Sequence, residues 1–158
     1  MLDYDFENSL GFWLVGAHHA YIRAFHERLG PHGITFRQAQ VLGWLALEGP
    51  LPQAELAARM MIEPASLVGV LNRMERDGWI ERRECCHDGR KKLVTLLPAA
   101  CRVWETIAEV GREMRRRASA GLSPAELATL RELLGRVQRN VQPSLPAADA
   151  TAARGAAS

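Results

Sequence analysis

Little in this chain announces a common function class. Its three cysteines, two of them adjacent, cannot form the spaced, even-numbered set of a disulfide framework, which excludes a stapled secreted fold and points to a reducing compartment. No apolar run reaches the roughly 18 residues of a membrane span. Residues 1–7 are acidic where a secretory signal is basic, so a cytoplasmic protein with no membrane contact is expected. No glycine-rich phosphate loop, carboxylate pair or nucleophile with its base can be traced, so the sequence predicts neither an enzyme nor a bound cofactor. A net charge of only +2 means that any affinity for nucleic acid must come from local clusters and not from a global field.

Local clusters are present. Arg82, Arg83, Arg90, Lys91 and Lys92 are opposed in their span only by Glu84 and Asp88, and Arg112, Arg115, Arg116 and Arg117 form a second basic run. The first cluster ends a stretch, residues 51–97, that reads as a winged helix-turn-helix. A short helix over 53–60 carries Leu56 and Met60 four apart on one face, and the chain breaks at Ile62 and Glu63. Pro64 then stands where a first helical turn tolerates proline. The helix it opens, predicted over 64–77, has a buried stripe of Leu67, Val70, Leu71 and Met74. Its other face holds Ala65, Ser66, Val68, Gly69, Asn72, Arg73 and Arg76, small at the start and basic further on. Gly78 supplies a left-handed stop. Residues 80–85 and 91–97 are expected to pair as antiparallel strands, joined through 86–90 with Gly89 in the turn. A helix with small side chains on its first turn can enter a major groove about 12 Å wide, and the hairpin tip can lay a guanidinium in the minor groove.

The flanks are helical. Residues 6–29 form a first helix that is apolar over most of its circumference, with Leu10, Leu14, Ala17, Tyr21 and Phe25 on one side and Phe12, Val15 and Ile22 on another. Such a helix must be covered twice, and a second subunit is the expected cover. Thr35 and Gln38 make a capping-box pattern ahead of a helix that stops at Gly49 and Pro50. Pro98 opens a long helix with the stripe Val103, Ile107, Val110 and Met114. Ser123, Pro124 and Glu126 begin a last one whose Leu127, Leu130, Leu134, Val137 and Val141 alternate by three and four. The expected fold is mainly α, in the α+β sense. A winged helix-turn-helix over residues 35–97 sits between an N-terminal dimerisation helix over 1–34 and C-terminal dimerisation helices over 98–142, the termini forming an intertwined dimerisation region. Residues 143–158 are expected to be a disordered tail.

Three separated segments give the chain a family likeness. Glu55-Leu56-Ala57, the run RMERDGWIERR over 73–83 and the run DGRKKLVTL over 88–96 resemble, in order and spacing, the MarR/SlyA family of bacterial transcriptional regulators, and the likeness extends over roughly residues 6–141. It implies a homodimer on double-stranded DNA whose recognition helix reads the major groove and whose wing arginine reads the minor groove. By that likeness the DNA-binding residues are Pro64, Ala65, Ser66, Val68, Gly69, Arg73, Asp88, Arg90 and Lys91. Arg90 holds the wing-arginine position, Asp88 orients it and pairs with Arg73, and Ser66, Val68 and Gly69 lie near base edges. Two positions depart from the pattern: Gly89 stands where many members have a second arginine, and Gly69 where a long polar residue is common. Fewer direct base contacts follow, with more weight on phosphates and groove shape. Two-fold symmetry calls for an imperfectly palindromic operator.

The resemblance also implies a small effector, often an aromatic acid or phenolic, bound between the dimerisation helices and the winged region. The reading is therefore a repressor of a catabolic or resistance operon released by such a ligand or its thioester. Trp13, His18, His19, Arg23, Phe36 and Trp44 are the candidate ligand-binding residues, with Trp104 a further aromatic wall, although each has an alternative reading as core or interface packing. Two other switches are open. Cys85 and Cys86, beside Arg82, Arg83 and His87, would suit a thiol-responsive regulator. His18, His19, His26 and His32 would suit a metal-responsive one, but only His19 and His26 share a face, with no third ligand, so no metal site is assigned. Cys101 is expected to be ordinary helix packing.

Overall fold

The computed structural model describes residues 5–85 and 88–141, with the backbone alone at 85 and 88–91. The expected disordered tail, Cys86 and the side chains of Cys85, Asp88, Arg90 and Lys91 lie outside the described residues. The chain divides into two units, residues 1–118 and 119–158. Its elements run α1 (Leu10–Leu29), α2 (Phe36–Glu48), β1 (Leu51–Pro52), α3 (Gln53–Arg59), α4 (Pro64–Arg76), β2 (Ile80–Cys85), β3 (Asp88–Leu96), α5 (Ala100–Ala118) and α6 (Pro124–Val141), with a 3-10 turn, Gly30–His32, after α1. The fold is therefore mostly helical, with one small antiparallel sheet ordered β1-β3-β2.

Local chemistry sets most of the boundaries. Thr35 and Gln38 form the complete capping box at the start of α2, with the Thr35 hydroxyl accepting from the Gln38 N–H at 3.2 Å and Gln38 Oε1 accepting from the Thr35 N–H at 2.9 Å. Gln38 is the one buried polar residue among the described residues, and these bonds engage its backbone N–H and its side-chain oxygen. In the second unit, Ser123 and Glu126 make the same reciprocal pair at α6. The Ser123 N–H and hydroxyl hold the Glu126 carboxyl below its ordinary range. The first helix starts at Leu10 and not at Phe6, because the Asp5 carboxylate accepts the Asn8 N–H at 3.1 Å and so offers this segment a turn in competition with the helix.

The first unit is built on one core. Leu29 of α1, Val41 and Leu42 of α2, Leu56 of α3, Leu67, Leu71 and Met74 of α4, Ile80 of β2 and Val94 of β3 are almost wholly excluded from solvent. Helix α5 contributes Ile107, Val110 and Met114, the expected stripe, and Arg28 on α1 reaches Glu113 on α5 at 2.7 Å. The sheet was partly unforeseen. Leu51 and Pro52 pair with Val94 and Leu93, adding an edge strand ahead of α3. Strand β3 also begins at Asp88 and not at Lys91, with Cys85 opposite Asp88 and a register shift between Glu84 and Cys85, so Gly89 lies within the strand and not in the turn. An irregular ladder of this kind bends and twists a hairpin tip.

The remaining apolar surface is concentrated on α1 and α6. On α1, Leu10, Phe12, Trp13 and Val15 are each more than half exposed. On α6 no residue is buried, and Leu130, Leu133, Leu134 and Val141 are exposed. Cys101 is exposed on α5, so the expectation that it packs inside the helix layer is wrong; it falls outside the stripe Val103–Ile107–Val110–Met114 that faces the core.

Candidate nucleic-acid interface

Helices α3 and α4 are joined by a tight turn that fixes their relative angle. The Met61 N–H bonds to the Ala58 carbonyl and the Ile62 N–H to the Ala57 carbonyl, the two bonds of a Schellman stop, with Met61 itself at φ 51. Glycine normally takes that position; here it is a methionine, a residue 85% exposed. Arg59 ties the end of α3 back to α2 through Glu48 at 2.6 Å. Helix α4 closes with the same device, Gly78 at φ 73 and the Trp79 N–H bonded to the Met74 carbonyl.

Between those stops, α4 presents the face that the sequence implies. Leu67, Leu71 and Met74 are buried, whereas Pro64, Ala65, Ser66, Val68, Gly69, Asn72, Arg73 and Arg76 are exposed. A methyl group built on Gly69 would meet nothing within 4 Å, so intrachain packing does not dictate its smallness. Val70 is only partly buried, at the edge of the stripe.

The wing is joined to this helix by contacts the sequence did not suggest. Glu75 of α4 accepts the Arg82 backbone N–H through Oε1 at 3.1 Å and the Arg82 Nε–H through Oε2 at 3.1 Å, while Arg82 Nη2 also donates to Asn72 Oδ1 at 2.7 Å. The Arg82 guanidinium holds the Glu75 carboxyl below its ordinary value. Arg83 reaches Glu81 at 2.7 Å and Arg76 reaches Asp77 at 3.1 Å. One member of the basic cluster read from sequence is thus engaged within the fold: Arg82 positions β2 against α4. The expected Asp88–Arg73 pair and the expected roles of Arg90 and Lys91 fall on the side chains of Asp88, Arg90 and Lys91, which lie outside the described residues.

The candidate effector residues divide into two groups. His18, His19 and Arg23, with Gly16, Ile22 and His26, line one open hollow of about 670 Å³ along α1. Phe36 sits instead in an aromatic cluster, its ring 5.4 Å from Phe25 and 6.0 Å from His26. Trp44 packs partly buried against the core, and Trp13 donates its indole N–H to the Glu7 carbonyl at 2.8 Å near the start of α1. Among the described residues, no three His, Cys, Asp or Glu side chains converge as metal ligands, and no helix is long and apolar enough to cross a membrane.

Known proteins share this arrangement. The MarR family profile matches residues 32–91. A probable transcriptional regulator from Pseudomonas aeruginosa is 36% identical, covering 84% of this chain and 99% of that one at a TM-score of 0.74. A mutant of MarR from E. coli, solved in complex with operator DNA, is 28% identical over 81% of this chain and 92% of its own, at 0.75. An uncharacterized HTH-type transcriptional regulator of Bacillus subtilis, YwoH, is 34% identical over 82 residues, 52% of this chain. The chain spans about half the length of the curated relatives it matches, 59% in that case. By the family profile and by its likeness in sequence and fold over most of its length, the chain belongs to the MarR family.

Proposed function

We propose that this protein is a dimeric, DNA-binding transcriptional repressor of a catabolic or resistance operon, released from a pseudo-palindromic operator by a small aromatic acid, phenol or related thioester, and that it is not an enzyme. One observation carries the DNA reading: an exposed, small-residue face on α4 is held by Glu75 and Arg82 against a hairpin whose tip is basic. In this reading Pro64, Ala65, Ser66, Val68, Gly69 and Arg73 occupy the major groove. Asp88, Arg90 and Lys91 serve the adjacent minor groove and its phosphates. The uncovered apolar side chains of α1 and α6 supply the dimer contacts, and dimerisation sets the spacing of the two recognition helices.

The effector reading is supported by the hollow on α1, where His18, His19 and Arg23 place hydrogen-bonding and cationic groups beside Ile22. A planar carboxylate requires one or two such groups against an apolar wall. Release then follows from preferential binding to a form whose recognition helices do not match the operator spacing. The test is a binding titration of the purified protein against duplexes selected from a random pool, with mass measured in parallel. Enrichment of an inverted repeat by a dimer is expected; a monomer, or a pool that shows no enrichment at about 0.1 M salt, would overturn the proposal.

A further inference from the structure

We infer that this protein reads its operator in the major groove mainly through the C5-methyl groups of thymines and not through bidentate hydrogen bonds to purines. The inference rests on the DNA-binding reading above and concerns how that same face selects sequence. Helical periodicity runs Ala65, Gly69, Asn72 and Arg76 along the centre of the exposed face of α4, with Val68 on one flank and Ser66 and Arg73 on the other. The side chains that distinguish purines by paired hydrogen bonds are arginine or lysine on guanine and asparagine or glutamine on adenine. Over the first two turns, from Pro64 to Leu71, none occurs.

Further along, three such residues occur, Asn72, Arg73 and Arg76; the two on the centre line, Asn72 and Arg76, are already engaged, and Arg73, on the flank, is the one the family likeness pairs with Asp88. Asn72 needs its carbonyl oxygen and its amide N–H groups turned together onto an adenine edge, and the Arg82 guanidinium already occupies one acceptor site of that oxygen at 2.7 Å and turns the side chain toward β2. Arg76 lies in the last turn and is forked onto Asp77 through Nε and Nη2, both at 3.1 Å. The leading part of the helix therefore offers Ala65 and Val68, the latter 39% exposed, beside Gly69, which leaves the backbone open. Apolar contact is the mode by which such groups recognise a base, and thymine is the base that presents a methyl group in the major groove. Ser66 bonds to any base edge and adds little discrimination.

The probe is a duplex selected from a random pool by the full-length protein, resynthesised with deoxyuridine in place of each thymine in turn. At one or two thymines per half-site, loss of the methyl is expected to weaken binding about fourfold, the worth of one buried methyl-sized group, and about fifteenfold when both half-sites are changed. Val68→Ser and Ala65→Ser lie on the exposed face and leave the fold intact; one of them should abolish the difference between thymine and deoxyuridine at its position. If every deoxyuridine duplex binds like its parent, or if both variants keep the full discrimination, methyl readout is overturned while DNA binding stands. A pool from which the protein selects no sequence overturns both readings.

Discussion

Glu75 holds Arg82 at two points, accepting the backbone N–H on one carboxylate oxygen and the side-chain Nε–H on the other, each at 3.1 Å. One acidic side chain thereby joins the recognition helix to the first wing strand, fixing backbone and guanidinium together. Both side chains are partly solvated, so the pair is expected to contribute no more than about 1 kcal/mol. Its pH dependence is more telling. The folded carboxyl titrates below its ordinary value of 4.5, so its stabilisation is complete above that value and is lost as pH falls from 4.5 through the lower folded value. Glu75→Gln should therefore melt below wild type at pH 7, and the gap should close in strong acid. Thermal melts from pH 3 to 7 check this; a gap independent of pH would mean that the charge contributes nothing.

The two Schellman stops predict opposite effects of glycine. Met61 sits at φ 51, a region that penalises a side-chain-bearing residue by about 1–2 kcal/mol. Glycine gives back about 0.4–1 kcal/mol through the freer unfolded chain. Met61→Gly should accordingly stabilise the protein by about 0.5–1 kcal/mol. Gly78→Ala should destabilise by a similar amount for conformational reasons alone, since a methyl there meets nothing within 4 Å. Urea denaturation of both variants separates the two signs.

What was legible in the sequence was local. Thr35 with Gln38, Ser123 with Glu126, Pro64 and Gly78 each set a helix end through neighbours within a few positions, and the stripe Leu67–Leu71–Met74 showed which face of α4 is buried. Features that depend on distant partners were not legible. Leu51 and Pro52 are a strand only because Val94 and Leu93 lie beside them. Arg82 looked like part of a DNA-facing cluster because its spacing from Glu75 crosses a helix stop and a change of secondary structure, which periodicity cannot follow. That the Phe36 ring packs with Phe25 and His26 is likewise shown only by the folded arrangement of α1 and α2.

Helix α6 offers a direct test of dimerisation. Leu130 and Leu134 lie four apart and are 45% and 43% exposed within one chain. If they meet a second copy, Leu130→Glu with Leu134→Glu removes four leucines per dimer that are each already about half covered, about 3–5 kcal/mol in all, or roughly two to four orders of magnitude in dissociation constant. Sedimentation should show a monomer whose circular dichroism retains the helices of the first unit. A double variant that remains dimeric would place the interface elsewhere.

The hollow on α1 predicts a separable effector defect. Arg23 is its cationic lining residue, and Arg23→Ala should reduce the thermal shift caused by benzoates and hydroxybenzoates while leaving the affinity for DNA within about twofold. His18→Ala and His19→Ala should do the same to a smaller degree. If all three variants respond like wild type to a ligand that shifts the parent, the effector binds elsewhere.

The wing carries the sharpest prediction about affinity. Arg82 is committed to Glu75 and Arg83 to Glu81, and the family pattern places the minor-groove contact at Arg90. Arg90→Ala should weaken operator binding by about 1–3 kcal/mol per protomer, roughly tenfold or more, and reduce the salt dependence by about one counterion for each wing, with the dimer intact. Arg83→Ala, which removes a residue already paired on the strand, should cost far less. Mobility-shift titrations at several salt concentrations measure both quantities at once. Equal losses for the two variants would mean that the wing acts only as a diffuse positive surface; an unchanged Arg90→Ala would mean that the hairpin does not reach the duplex.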